Sequence, residues 1–264
     1  MSVAPMASRP EIASLMYHEV TDDAQATGFQ RPGALAYKHS TAAFTEHLRR
    51  IQDAAAAPPG RVVDIDFTRP GRHVLLTFDD GGKSALDAAE LLSRHGWTGH
   101  FFIVTSLIGS RTFLDARGVR ALRGGGHIVG SHSHTHPMIF RSQAPAKMAE
   151  EWRTSCDILG QILGEPCVSA AVPGGDISPA VLESASGAGL RYLFTSEPWL
   201  VPRQVGDCWI LGRYSVKITT SPGRVEALVR FKSWTRALWR RRLKVLATHA
   251  APPLYRLYIR ARST

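Results

Sequence analysis

The sequence has few cysteines, no long apolar run and no secretion signal at its start. Its three cysteines, Cys156, Cys167 and Cys208, are too few and too scattered for a disulfide framework or a cysteine-based metal site. Free thiols are typical of a reducing compartment. No apolar run is long enough to cross a bilayer, and residues 1–10 lack the basic and apolar segments of a signal peptide. We therefore expect a cytoplasmic protein.

Acidic residues are almost missing from the C-terminal part of the chain. Residues 222–264 contain eleven Lys or Arg and one acid, Glu226, so they account for the whole net charge of +10. Residues 1–221 are neutral overall, which argues against a body that binds nucleic acid. This pattern predicts two parts. Residues 1–221 form a catalytic body, and residues 222–264 form a basic helical extension that meets an anionic partner.

Strands and helices alternate along the body. The strands are continuous apolar runs, such as Val74 to Phe78 and Phe101 to Val104, rather than runs of alternating polarity. Such runs are typical of a parallel sheet covered by helices, either a barrel or a doubly wound sheet. Thr41 to Ala57 has the apolar spacing of a helix. Val62 to Phe67 alternates weakly and predicts a short edge strand.

Two adjacent carboxylates, Asp79 and Asp80, end the apolar run of the central strand and are followed by Gly81 and Gly82. Neighbouring strand residues point to opposite faces, so both acids reach solvent only if the strand has ended. Acids at the C-terminal end of a buried strand occupy the position of active-site residues in α/β folds. The alternative is an ordinary Asp-Gly turn.

A second polar cluster follows the strand that begins at His127. His132 and His136 are four residues apart, so a helical turn would place both imidazoles on one face, where they can share a cation. Asp80, from another strand end, is the candidate third ligand, which leaves positions open for water and substrate. Asp79 can then take the proton from the attacking water. His134 would point elsewhere, and a solvent-facing His-rich turn is the alternative for the cluster.

These stretches resemble the motifs of the polysaccharide deacetylase family. Residues 77–81, Thr-Phe-Asp-Asp-Gly, resemble its first motif, and residues 130–137 resemble its second, His-Ser/Thr-x-x-x-His. Residues 15–20 are similar to the opening of bacterial exopolysaccharide-associated members. The likeness covers roughly residues 12–215. It implies a distorted (β/α) barrel of about seven strands, with the site at the C-terminal ends of the strands.

The resemblance also implies residue roles. Asp79 would be the general base, and Asp80, His132 and His136 would hold one divalent metal ion, usually zinc. The implied reaction is metal-assisted removal of an N-acetyl or O-acetyl group from a glycan in cell-surface or exopolysaccharide biosynthesis. Two other functions remain open at this point: hydrolysis of a non-sugar amide on the same scaffold, and glycan binding by a catalytically weakened homologue.

The chain departs from the family at three motifs. The third motif, usually Arg-x-Pro-Tyr, reads Ala-Val-Pro-Gly over residues 171–174, so the arginine that braces the base is expected to be absent. Gly174 can offer its backbone N–H to an oxyanion, although an ordinary Pro-Gly turn is the alternative. Trp199 is the candidate for the aromatic wall of the site. For the general acid, His249 in Leu246-Ala247-Thr248-His249 fits the letters of the motif, and His18 at the first strand end is its rival.

The basic extension has two interpretations. Apolar residues recur at roughly helical spacing from Pro222 to Ala247, with Arg and Lys between them. A terminal helix packed on the body, with a solvated basic side, has this pattern. An interfacial helix on anionic lipid has it too. The second interpretation places the protein at the inner membrane face, where it would act on a lipid-linked oligosaccharide.

Overall fold

The computed structural model describes the backbone of residues 9–250 and the side chains of residues 9–243. Residues 1–8, which are most of the segment examined for a signal peptide, lie outside this range. The end of the basic extension also lies outside it. The strands are β1 (Glu11–Tyr17), β2 (Glu19–Val20), β3 (Lys38–His39), β4 (Arg72–Phe78), β5 (Gly99–Ile103), β6 (Ile128–Ser131), β7 (Ser169–Ala171), β8 (Tyr192–Phe194), β9 (Arg203–Val205), β10 (Cys208–Leu211) and β11 (Tyr214–Ser215). The α-helices are α1 (Thr41–Ala54), α2 (Ala85–Arg94), α3 (Ala116–Gly124), α4 (Pro145–Leu163), α5 (Pro179–Gly187), α6 (Pro222–Val229) and α7 (Trp234–Ala250).

Nine of the strands form one curled sheet. Its order is β11-β1-β4-β5-β6-β7-β8-β10-β9, and every neighbouring pair is parallel except β10 with β9. The sheet is an open, distorted (β/α) barrel, which confirms the predicted fold class. The short strands β9 and β11 bring the count above the seven expected.

Both faces of the central strands are buried, which explains their continuous apolar sequences. In β4, Val74, Leu76 and Phe78 belong to the outer core beneath the helices, whereas Leu75 belongs to the inner core that fills the barrel. The same alternation runs through β5, β8 and β10. The inner core therefore consists of apolar side chains from successive strands, and it closes the barrel below the site.

This alternation decides which residues face the mouth of the barrel. A His, Asp or Arg occupies the inner-facing position next beyond four of the strands. His18 follows β1, Asp79 follows β4, His132 follows β6, and Arg213 follows β10, each at the C-terminal end of its strand. Because these strands are parallel, the four side chains converge at one end of the barrel.

Two local expectations were wrong. The weakly alternating segment starting at Val62 is a 3-10 helix over Val62–Asp64 rather than an edge strand. The Val62 N–H donates to His100 Nε2 at 3.0 Å, and the Val62 side chain is buried in the inner core. The predicted helix from Thr41 ends at Ala54, earlier than expected, and it is capped by Ser40, whose side chain accepts from the Ala43 N–H.

The basic extension begins as part of the barrel's outer layer. Val225 and Leu228 of α6 and Trp234 of α7 belong to the outer core, and α6 packs against α1. Phe231 and Ser233 have left-handed backbones, with φ of 60° and 66°, so the extension contains two helices where the apolar spacing suggested one. The boundary at residue 221 stays a prediction. No helix in the described part of the chain is both long and apolar enough to span a membrane.

Candidate active site

The polar strand ends meet in a cavity of about 690 Å³ at the mouth of the barrel. Asp79, Asp80, His132 and His136 line it together. The loop that follows β2, with its 3-10 helix over Pro32–Tyr37, supplies one wall, and α6 and α7 supply another. A cavity of this size is in the ~300–1,000 Å³ range of small-ligand sites.

The two carboxylates diverge because the chain turns between them. The Asp79 N–H donates to the Tyr17 carbonyl at 3.0 Å and thus extends the pairing of β4 with β1. Asp80 then adopts a left-handed backbone, with φ of 79°. Such a conformation is costly for a residue with a side chain and is found preferentially at functional sites.

The glycines after Asp80 are required by space as well as by conformation. A Cβ on Gly81, whose φ is also 79°, would lie 2.9 Å from the Ile103 side chain. A Cβ on Gly82 would lie 2.2 Å from Glu19 Oε1. The buried Glu19 carboxylate accepts hydrogen bonds from the hydroxyls of Thr27 and Ser84, each at 2.6 Å, so it fastens this turn to the neighbouring loop.

The histidine segment is a tight loop rather than the helical turn that the spacing suggested. Ser133 and His136 have left-handed backbones, with φ of 64° and 53°. The Ser133 hydroxyl accepts from the His136 N–H at 3.0 Å, which closes the loop. Glu151 of α4 accepts from both the N–H and the hydroxyl of Thr135, each at 2.7 Å. The loop still brings the rings of His132 and His136 to 5.0 Å between centroids.

Asp80, His132 and His136 form the predicted candidate metal site. His132 Nε2 lies 3.5 Å and His136 Nε2 lies 3.7 Å from Asp80 Oδ1, and the three ligand atoms lie within 4.8 Å of one another. Ligand atoms on a tetrahedral zinc ion are about 3.3–3.6 Å apart. Two imidazoles and one carboxylate also suit a catalytic divalent ion that keeps open positions. The residues therefore fit one such ion.

Protonation in the site favours neutral histidines. Burial lowers the pKa of His132 and lowers that of His136 well below its usual range, so both imidazoles are neutral and have a lone pair to donate. His132 Nδ1 lies 2.9 Å from the Ala171 carbonyl, which only accepts, so Nδ1 carries the proton and Nε2 is the ligand atom. Burial and the charge of Asp79 raise the pKa of Asp80 well above its usual range.

An arginine does brace Asp79, contrary to the sequence-based expectation. Arg213, just beyond β10, is fully buried and donates from both terminal nitrogens to the carboxylate, at 2.6 Å and 2.9 Å. Its Nε donates to the Thr195 carbonyl at 2.9 Å. The third motif lacks an arginine, but a different strand end supplies one. The signal that could have revealed it is an arginine in the inner-facing phase of an apolar strand, two residues after Leu211.

This ion pair controls the charge of Asp79. Burial raises the pKa of this carboxyl, but the Arg213 charge, His132 and the two hydrogen bonds outweigh burial and lower the pKa to about 2. Asp79 Oδ2 lies 3.8 Å from His132 Nε2, so the carboxylate stands beside the candidate metal site. Asp79 is ionised at neutral pH and held in one orientation.

The two general-acid candidates differ in what the structure describes. His18 lines the cavity, and its buried Nδ1 has no partner within the described residues. Its ring lies 4.4 Å from that of Tyr37, and burial lowers its pKa to about 4. His249 belongs to α7, and its side chain lies outside the described residues.

The remaining candidates lie at different distances from the site. Gly174 lines the cavity with φ of 65° and open space on its Cβ side. Trp199 packs against an apolar cluster that includes Leu193 and Ile210, and the Arg203 guanidinium lies 4.1 Å from the centroid of its ring. It is not among the residues that line the cavity. His134 is not among the residues that line the cavity, and its Nδ1 lies 3.0 Å from the Thr105 hydroxyl.

Comparison with known proteins identifies the family. Residues 67–193 match the sequence model of polysaccharide deacetylases, which confirms the family predicted from the motifs. The peptidoglycan-N-acetylglucosamine deacetylase PgdA of Listeria monocytogenes is 25% identical over 141 residues, which are 53% of this chain and 29% of the relative. The chain thus matches less than a third of the length of that relative.

Solved structures share the fold. A polysaccharide deacetylase from Bacillus cereus superposes with a TM-score of 0.69 at 18% identity, over 83% of this chain and 69% of that chain. IcaB from Ammonifex degensii superposes with a TM-score of 0.67 at 20% identity, over 86% of this chain and 100% of that chain. At these identities the likeness concerns the barrel itself.

Proposed function

Because residues 67–193 place this chain in the polysaccharide deacetylase family, we propose that it is a divalent-metal-dependent hydrolase that removes N-acetyl groups from an amino sugar of a glycan. One observation carries the proposal. A buried Asp-His-His triad stands beside an ionised, arginine-braced aspartate at the mouth of a barrel. A metal-dependent amide hydrolase uses these two parts: a Lewis acid and a base at its side.

Asp80, His132 and His136 would hold the ion, which we propose to be zinc because its usual ligands are imidazole and carboxylate. When bound, such an ion polarises the substrate carbonyl and makes water more acidic. The neutral state of both histidines suits this role. A bound cation also offsets the burial that raises the pKa of Asp80, because it favours the ionised carboxylate.

Asp79 is proposed as the general base. Its carboxylate faces the cavity beside His132, and Arg213 uses both terminal nitrogens to hold it. The bidentate contact fixes the direction of the carboxylate lone pairs and keeps the group deprotonated before the reaction. When the attacking water gives its proton to Asp79, the carboxylate becomes neutral, while Arg213 keeps its positive charge beside it.

His18 is proposed as the group that gives a proton to the leaving amine. It faces the cavity, and its Nδ1 is free of protein partners within the described residues. With a pKa of about 4 the imidazole is neutral at the start. Negative charge that develops on the substrate nearby raises this pKa, so the ring can take up a proton from solvent and pass it to the leaving amine. Gly174, open to the cavity, is proposed to offer its N–H to the developing oxyanion.

We also propose a place of action at the inner membrane face, in the assembly of cell-surface glycan. Helix α7 exposes Trp239 and Leu243, at 61% and 62%, next to Arg240 and Arg242. Apolar and basic side chains on one exposed helix suit an anionic lipid surface. Co-sedimentation with liposomes that contain or lack anionic lipid tests this, and equal binding to both would contradict it.

The deacetylase proposal is tested by metal removal and reconstitution. Purified protein is stripped with chelator, and acetate release from N-acetylated chito-oligosaccharides is measured before and after Zn²⁺ is restored. We expect release to be lost and regained in step with metal content. A His132→Gln variant should bind metal poorly and release no acetate at any Zn²⁺ concentration that leaves the protein folded. Undiminished release by metal-free protein would exclude the mechanism.

A further inference from the structure

The cavity carries more positive charge than its own acids can neutralise. Its carboxylates are Glu19, Asp79 and Asp80. Asp79 is paired with Arg213, Asp80 belongs to the candidate metal site, and Glu19 accepts from two buried hydroxyls. Four cations that line the same cavity have no carboxylate partner within the described residues: Arg31, Lys217, Arg224 and Arg240.

The other basic residues of the cavity are engaged. Arg241 donates to Glu197 and Asp176, at 2.8 Å and 2.7 Å. The Lys38 ammonium donates to the Thr27 carbonyl at 2.7 Å and to that of Ala24. These contacts satisfy the two side chains and tie α7 and the loop after β2 to the barrel. Arg224 also donates to a carbonyl, that of Ser233 at 3.3 Å, but a neutral carbonyl does not cancel its charge. Arg31, Lys217, Arg224 and Arg240 therefore bring positive charge to the cavity that no carboxylate of the described residues offsets.

Three of these cations are held by aromatic rings. The Arg31 guanidinium lies 4.2 Å from the centroid of Phe29, and that ring lies 5.2 Å from the His136 ring. Arg31 is thereby fixed on the metal side of the site. An aromatic face positions a cation without cancelling its charge, because the ring has no net charge.

Lys217 and Arg224 occupy the other side. Lys217 Nζ lies 5.4 Å from the centroid of Tyr37, whose ring packs on His18. The Arg224 guanidinium lies 5.2 Å from the centroid of Tyr214. Arg240 of α7 completes this wall. The cations thus surround the candidate reaction centre, and an acetylated sugar seated there would contact them with its substituents.

We propose that the substrate carries a phosphate or diphosphate group next to its acetylated amino sugar, and that Arg31, Lys217, Arg224 and Arg240 bind this group. The proposal rests on the deacetylase function proposed above. A phosphate brings a charge of about −1.5 to −2 and several acceptor oxygens, so it matches four cations better than a single carboxylate does. The cavity of about 690 Å³ has room for an amino sugar together with its phosphate group.

The test compares matched substrates on the zinc-loaded full chain. Acetate release is followed for the methyl glycoside of N-acetylglucosamine, for N-acetylglucosamine 1-phosphate, and for the polyprenyl-diphosphate-linked sugar in detergent micelles. We expect kcat/KM to be about tenfold or more higher for the phosphorylated sugars, as charge-assisted contacts allow. The preference should shrink with added salt. A preference confined to the lipid-linked sugar would identify a lipid-borne diphosphate, and one shared by the 1-phosphate would identify the phosphate itself.

Variants of the cavity cations test whether the preference for phosphorylated substrate arises in the cavity. Lys217→Met and Arg224→Met should each lower the ratio of kcat/KM values, phosphorylated over neutral, by about tenfold. Lys232→Met is the matched control, because Lys232 is exposed and lies outside the cavity, and it should leave the ratio unchanged.

Failure of the phosphate proposal and failure of the deacetylase function would give different results. Acetate release from the neutral glycoside with no preference for phosphate would overturn this inference and leave the deacetylase function standing. No release from any substrate by zinc-loaded protein would overturn the function itself. A ratio that responds equally to Lys232→Met would show that the phosphate is not bound in the cavity.

Discussion

Replacing Arg213 tests how the base is held. Arg213→Met removes two hydrogen bonds to a buried carboxylate and leaves Asp79 without its cation. Breaking a buried ion pair in this way costs about 3–5 kcal/mol of folding free energy. Without Arg213, burial dominates, and the pKa of Asp79 rises above its usual range. The variant should therefore be less stable, its Asp79 should become ionised only at higher pH, and the carboxylate should no longer be held in one orientation.

The pH dependence of the loss is the sharper readout. In the native protein the pKa of Asp79 is lowered from 3.8 to about 2. The ion pair thus contributes stability that is present above pH 4 and is lost as pH falls toward 2. A pKa difference of this size corresponds to roughly 2.5 kcal/mol. The stability difference between native and variant protein, measured by urea unfolding, should be largest at pH 7 and should shrink on acidification.

Kinetics complete the test. The acid limb of the kcat/KM profile for acetate release should move to higher pH in Arg213→Met, with at least a tenfold loss at pH 7. Arg213→Lys keeps the charge but not the bidentate contact, so its acid limb and its kcat/KM should lie between those of the native protein and of Arg213→Met. Arg241→Met is the control, because it breaks another shielded ion pair and should leave the acid limb in place. An unmoved acid limb and a pH-independent stability loss in Arg213→Met would refute the reasoning.

Three further predictions concern other parts of the site. His18→Phe should lower kcat about 100-fold while metal stoichiometry stays unchanged, and metal loss in this variant would instead make His18 a ligand. Asp80→Asn should raise the melting temperature of metal-free protein, because it removes a carboxylate that burial and Asp79 disfavour and keeps a side chain that tolerates φ of 79°. The same variant should bind zinc far more weakly by calorimetry, and unchanged affinity would contradict the ligand assignment. Gly82→Ala should cost about 1–3 kcal/mol of folding free energy, because its Cβ would meet the Glu19 side chain. Gly60→Ala is the control and should be tolerated, because nothing lies within 4 Å of its Cβ position. Equal losses of stability in chemical denaturation would show that the turn at Gly82 can relax.

The centre of the site was predictable because the relevant rule is topological. Parallel strands bring their C-terminal ends to one edge, so polar residues after two apolar runs must approach each other. The sequence alone therefore groups Asp79, Asp80, His132 and His136. The conformation of the histidine loop does not follow from the sequence in this way, because two left-handed residues, rather than a helical turn, bring the rings together.

Contacts between residues of distant strands were harder to predict from the sequence. Arg213 lies 134 residues from Asp79 along the chain, and the motif expected to supply the arginine contains none. Only the alternation of inner and outer side chains beyond β10 indicates its direction. The strand predicted from Val62 was wrong because a short run of weakly alternating residues cannot be distinguished by its sequence from a 3-10 helix that fills the inner core. The break between α6 and α7 depends on two left-handed residues that helical spacing does not reveal.

The most direct test of the account is acetate release by Asp79→Asn. The amide is nearly isosteric and leaves Asp80, His132 and His136 in place, so zinc content should remain near one ion per chain. Loss of a general base typically lowers the rate by about 10²–10⁴-fold. We predict such a loss in single-turnover acetate release from N-acetylated oligosaccharide, with zinc content unchanged. Native rates from zinc-loaded Asp79→Asn would contradict the division of roles between the two aspartates.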